Sequence, residues 1–208
     1  MNESLSADIA ATAARLVVEE GMEYGPAKRK AARTLGRSRP SDLPSNDAVE
    51  DAVREYISVF CADTQPAELA ALRGLALRWM ERLAEFRPHL SGAAWRGTAT
   101  RLSALHIDLY CDDPKAAEIA LVNQGVDYDV GSLPSPRGGQ IDVLSVASFC
   151  PVLREQVTLF LAVRDLDDVR GALKPDATGR TLRGDLGALR RRMAEDAGEP
   201  AAGGTITG

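Results

Sequence analysis

A chain of 208 residues, 45% apolar and 26% charged, has the make-up of a soluble globular protein, with length for one domain or for a small helical domain joined to a larger one. A net charge of −5 argues against wholesale coating of nucleic acid, no apolar run approaches the ~20 residues of a membrane span, and the N-terminus lacks the apolar stretch of a signal peptide. Cys61, Cys111 and Cys150 are scattered, odd in number and without metal-ligand spacing, so they read as reduced thiols of a cytoplasmic protein.

Leu5, Ile9, Ala13, Leu16 and Val17 recur at three-four spacing and predict a helix over residues 5 to 20, closed by Gly21. A second helix over 27 to 35 carries Lys28, Arg29, Lys30 and Arg33, with Arg37 and Arg39 beyond, the densest basic cluster of the chain. It is either a solvated face or a nucleic-acid contact. Residues 37 to 47 are a proline-containing linker. Asp47 and Glu50 then signal a helix start, followed by the stripe Val49, Val53, Tyr56, Ile57, Phe60 and Cys61. Thr64-Gln65-Pro66 opens a longer helix with Leu69, Leu72, Ala76, Trp79, Met80, Leu83 and Phe86 on its apolar side, stopped at Arg87-Pro88.

From residue 92 the pattern turns to strands. Residues 92 to 96 are expected to form a short strand leading into Gly97-Thr98. Leu105, Ile107 and Leu109 then alternate with His106, Asp108 and Tyr110, which places Asp108 on the polar side of a half-buried strand. Asp112-Asp113-Pro114 starts a helix ended by Gly125. Residues 126 to 130 and 140 to 148 read as strands, with 131 to 139 a turn or loop. Gln156–Val163 is the most β-like run, residues 164 to 179 are charged and irregular, and a last helix covers 184 to 194.

The run Arg96-Gly97-Thr98, a short loop, then His106-Ile107-Asp108-Leu109 resembles the signature of the nucleotidyltransferase (polymerase-beta-like) superfamily, in its small bacterial members. There a Gly-Ser or Gly-Thr turn holds nucleotide phosphates, and a strand reading Asp-hydrophobic-Asp-hydrophobic, with a third acid on a later strand, holds divalent ions. Asp108 matches the second acid, and His106 stands where the family has its first. A nitrogen ligand there suits magnesium poorly. Candidates for the third acid are Asp142 and Glu155.

The expected fold is therefore α+β: a helical region over 1–90 packed on a mixed-sheet, nucleotidyltransferase-like domain over 91–195, with a disordered tail over 196–208. The resemblance implies transfer of a nucleoside monophosphate from an NTP to an unknown acceptor. In it Asp108 would hold Mg2+ or Mn2+, Asp108 and His106 would form the catalytic pair, and Gly97, Thr98, Arg96 and Arg101 would contact the nucleotide. The alternative is a catalytically degenerate module that binds nucleotide, RNA or a protein partner and uses Lys28, Arg29, Lys30 and Arg33 as its contact surface. No Ser-His-acid pattern, P-loop or dinucleotide fingerprint is present.

Overall fold

The computed structural model describes residues 2–37, 39–135, 138–175 and 179–198. The chain is α+β and divides into two compact units, Met1–Leu69 with Gly97–Ala104, and Ala70–Arg96 with Leu105–Gly208.

The first unit is helical. Helix α1 (Asn2–Glu20) packs against α2 (Tyr24–Thr34) and α3 (Asn46–Phe60). Ile9, Ala13, Leu16 and Val17 meet Ala27, Ala31, Val49, Val53 and Ile57 in one apolar core, as their spacing predicts. Alanine at Ala27, Ala31 and Ala32 keeps the buried side of α2 thin, which leaves its basic residues on the other side. Ser45 caps α3, its Oγ accepting from Ala48 N at 3.0 Å, so the cap lies two residues before the signal read at Asp47 and Glu50. Glu50 is instead a buried acid, accepting from Tyr24 Oη (2.5 Å) and Arg54 Nη2 (2.8 Å). Phe60, expected on the apolar stripe, is exposed.

Residues 97–104 return to this unit. The buried side chain of Gln65 donates through Nε2 to Gly97 O (3.1 Å) and Ala99 O (2.9 Å), and Arg101 N donates to Glu68 Oε2 (2.9 Å). Gly21 turns the chain out of α1 at φ +65, and a Cβ there would lie 2.7 Å from Leu102 O, so both conformation and space demand glycine.

The second unit holds a six-stranded mixed sheet in the order β3-β4-β5-β2-β1-β6. Its strands are β1 (His89–Ser91), β2 (Leu105–Cys111), β3 (Asp129–Pro134), β4 (Gln140–Cys150), β5 (Glu155–Asp165) and β6 (Arg183–Asp185). Among the described strands only β2 and β5 pair in parallel. Helix α4 (Gln65–Arg82) enters this unit at Ala70. It is followed by α5 (Gly92–Arg96), α6 (Pro114–Asn123), the single turn α7 (Val169–Ala172) and α8 (Leu186–Asp196). Leu90, Ile107, Leu109, Leu144, Leu159 and Leu161 form the buried face of the sheet. Trp79 on α4 donates from Nε1 to Ser148 Oγ at 2.9 Å on that face.

Several expectations shift. Residues 92–96 are helical, because Gly92 at φ +68 breaks the extended chain just after Ser91. The strand read at 126 to 130 begins at Asp129 and runs to Pro134, into the segment read as a loop. Segment 164–179 is not irregular throughout, since β5 extends to Asp165 and α7 follows. Strand β6 was not anticipated, and α8 runs to Asp196, inside the segment expected as tail. Residues 199–208 of that expected tail lie outside the described residues. No described helix is long and apolar enough to cross a membrane.

Gly184 in β6 is a packing requirement of another kind. A Cβ there would lie 2.0 Å from Trp95 Cη2, so the indole rests directly on the strand backbone.

Candidate anion site on the sheet

Strand register puts a polar set on the face opposite the apolar one. His89 stands opposite Asp108, Ser91 opposite His106, Tyr110 opposite Arg164, and Arg183 opposite Ser91. Cross-strand partners project to the same side. His89, His106, Asp108, Tyr110, Arg164 and Arg183 therefore share one face of four adjacent strands.

Asp108 is the centre of this set. Arg164 Nε donates to Oδ1 at 2.5 Å, and Arg183 Nη1 lies 2.8 Å from Oδ2. That same nitrogen donates to Tyr110 Oη at 2.9 Å and is not aligned on Oδ2, which has no hydrogen-bond partner among the described residues. The Asp108 side chain is 5% exposed, those of Arg164 and Arg183 21% and 22%. One carboxylate thus lies between two largely buried arginine side chains, and Asp168 acts on Arg183 as a second nearby acid.

The pKa directions follow. Burial raises the Tyr110 phenol above its usual value, Asp108's charge adds to the rise, and Arg183 opposes it. Burial works against the charge on Arg183, but Asp108 and then Tyr110 outweigh it and the guanidinium is held above its ordinary value. Cys111, at the end of β2, is raised by burial and then by Asp113, Asp112 and Asp165, which keeps it a thiol at neutral pH.

The Tyr110 shift makes a testable statement about stability. A tyrosine ionises near pH 10 in the unfolded chain and higher in this fold, so between the two values the folded state holds the extra proton. Its contribution is complete below pH ~10 and is lost as pH rises through the folded pKa. Urea midpoints at pH 9 and pH 11 should differ less in Tyr110→Phe than in the parent chain. An unchanged slope would contradict the assignment.

The other expected site residues are placed as follows. His106 lies two residues before Asp108 on the same face, its ring stacked on Phe160 at 5.2 Å. Arg96 ends α5 in the second unit. Gly97, Thr98 and Arg101 belong to the first unit. Thr98 is buried, and its Oγ1 has no hydrogen-bond partner among the described residues. On α2, Lys28 donates from Nζ to Pro44 O (3.1 Å) and Asn46 Oδ1 (2.7 Å), and Lys30 pairs with Glu20 at 2.6 Å. Arg33 donates to Arg29 O, while Arg29 and Arg33 themselves are exposed.

The chemistry of the donor set bears on the implied metal ion. A divalent ion needs several oxygen ligands free of competing cations. Asp108 faces two guanidinium groups, and among the described residues no group of three or more His, Cys, Asp or Glu could hold a metal. The residues present at Asp108 do not fit magnesium or manganese, whereas two arginine forks suit a phosphate or carboxylate oxygen.

Arg164, Arg183 and Tyr110 were missed as site residues. For Arg164 a signal existed: Val157, Leu159, Leu161 and Val163 are buried, and the alternation extended by one residue puts Arg164 on the face of Phe160 and Ala162. Arg183 sits in a three-residue strand, too short for any periodicity.

No protein-family model matches the chain, and neither does any curated protein or solved structure.

Proposed function

We propose that the α/β unit binds the phosphate groups of a nucleotide through Arg164 and Arg183, with Asp108 acting as the bolt between them and not as a metal ligand. The protein is then a catalytically degenerate, nucleotidyltransferase-like binding module. The observation that supports this most directly is the Asp108 carboxylate held at 2.5 and 2.8 Å from the guanidinium groups of two arginines whose side chains are 21% and 22% exposed. The nucleotide, as opposed to any other anion, is suggested by the Gly97-Thr98 and His106-Ile107-Asp108 signature.

Calorimetric titration of pyrophosphate and of each NTP, first without divalent ions and then with magnesium or manganese, tests the reading. The expected result is metal-independent binding that weakens at least tenfold in Arg164→Gln and in Arg183→Gln, and weakens with added salt as phosphate–guanidinium contacts should. Binding that needs a divalent ion and disappears in Asp108→Ala would instead favour the metal-dependent transferase. Absence of binding under every condition would reject both.

A further inference from the structure

We propose that the exposed side of α2 and the turn after it bind the phosphate backbone of duplex DNA through Arg29, Arg33, Arg37 and Arg39. The surface lies in the helical unit and does not depend on the arginines of the sheet.

Positive charge gathers here against the trend of the chain. Residues 25–45 hold six basic side chains and one acid, Asp42, a local charge of +5 in a chain whose total is −5. The rest of the sequence therefore carries a net −10 and repels a polyanion, which turns any such partner towards this segment.

The six basic residues divide into two groups. Lys28 is committed to Pro44 O and Asn46 Oδ1, and Lys30 to Glu20, so these two fasten α2 to its neighbours. Arg29, Arg33, Arg37 and Arg39 are exposed, and none of them forms an ion pair among the described residues. Arg33 Nε donates to Arg29 O at 3.3 Å, which leaves its Nη groups without a hydrogen-bond partner among the described residues. The contact set expected from the sequence thus changes: the lysines anchor the helix and the arginines remain for a ligand. The helix dipole accounts for a cation at Arg33 or Arg37, near the C-terminal end of α2, and not for Arg29 at its middle or Arg39 beyond it.

The four arginines stand on ordered backbone. Arg29 and Arg33 are one turn apart, about 6 Å along the axis, while Ala27, Ala31 and Ala32 bury the other side of the helix. Gly36 at φ +70 ends α2, and Arg37 N donates back to Ala32 O at 2.8 Å. Arg39 O accepts from Asp42 N at 3.0 Å in the turn that follows. Binding then has side chains to order and not main chain.

Guanidinium forks match phosphate oxygens. A single strand would also need aromatic rings on which its bases stack, and the aromatic residue of α2, Tyr24, is half-buried with its hydroxyl donating to Glu50 at 2.5 Å. A helix about 10–12 Å across matches the major groove of B-form DNA, about 12 Å wide, whereas the major groove of A-form RNA is narrow and closed to side chains. With α2 laid along the DNA groove, the arginines reach the phosphates of its walls.

Fluorescence anisotropy of a labelled mixed-sequence DNA duplex, titrated with the full chain over a range of salt, tests the proposal. The logarithm of the affinity should fall against that of salt concentration with a slope of roughly −3.6 for four neutralised phosphates. Each Arg→Gln substitution among the four should reduce the slope by about one, and all four together should abolish binding. Gln has nearly the helix propensity of Arg, so α2 is retained. Arg190→Gln with Arg191→Gln, which removes two exposed charges from α8, should leave the slope unchanged, as should Arg164→Gln. Absence of binding, a slope indifferent to the four substitutions, or equal damage from the α8 pair overturns the proposal. So does equal or tighter binding of a single strand, an RNA duplex or polyglutamate, the last of which would point to an acidic protein partner.

Discussion

Asp108→Asn is expected to lower stability by about 3 kcal/mol and, at the same time, to tighten pyrophosphate binding. The side chain keeps its size, so packing on β2 is preserved. What changes is charge: Arg164 and Arg183 lose the carboxylate that lies 2.5 and 2.8 Å from them and are left as two neighbouring cations, each about four-fifths buried. Breaking a pair of this kind costs about 3–5 kcal/mol because the remaining charge stays desolvated, and the amide oxygen of Asn recovers part of it. An anion from solution can then take the place of the carboxylate. Sulfate or phosphate should therefore restore the melting temperature of the variant more than that of the parent. A metal site predicts the reverse, since the variant would lose nucleotide affinity and gain nothing from anions. Urea denaturation together with a pyrophosphate titration separates the two. A variant that is destabilised and also binds pyrophosphate more weakly would sink the account of Asp108 as a bolt.

Arg73→Met should cost about 2–4 kcal/mol, although Met fits the space of the stem. Arg73 is 3% exposed and points its fork at main-chain carbonyls: Nε donates to Ala94 O at 2.8 Å and Nη2 to Trp95 O at 3.3 Å, while Nη1 pairs with Asp196. Burial lowers its pKa, and the charge of Asp196 opposes that. Asp196 is half exposed, so its ion pair contributes little. Trp95 O keeps a donor in Arg192, whose guanidinium also lies 3.9 Å from the Trp95 ring centroid. The loss therefore falls mainly on Ala94 O, stranded in the interior. Arg73→Lys should be no rescue, because a single ammonium cannot reproduce the fork. Urea midpoints measure the cost directly, and a change below about 0.5 kcal/mol would show that Arg73 is not what fastens α5 and the end of α8.

What the sequence disclosed follows the length of each pattern. Ile9 to Val17 and Val49 to Ile57 span several turns, and their three-four spacing placed the buried sides of α1 and α3. Asp113, Pro114 and Gly125 bounded α6 because cap, first-turn proline and terminal glycine are local chemistry, and Asp113 Oδ1 does accept from Lys115 N at 2.9 Å. Alternation over Leu105 to Tyr110 put Asp108 on the face where the structure has it. The neighbours of Asp108 were not legible in the same way. Arg164 is 56 residues away and Arg183 lies in a short edge strand, so their meeting depends on the order β5-β2-β1-β6, which no local pattern encodes. The exposure of Phe60 was hidden for a related reason, since periodicity gives the side of a helix and not where its cover ends.

The return of residues 97–104 to the helical unit matters for a chain that is still being made. On the ribosome α1, α2 and α3 emerge first, yet the side chains of Gln65 and Glu68 cannot make these bonds until Gly97, Ala99 and Arg101 have left the tunnel. Until then the Gln65 amide has only water to bond, and the helical unit cannot be completed before α4, β1 and α5 have been synthesised. A fragment that ends at residue 90 would be arrested permanently at that stage, and its behaviour would report on an unfinished intermediate.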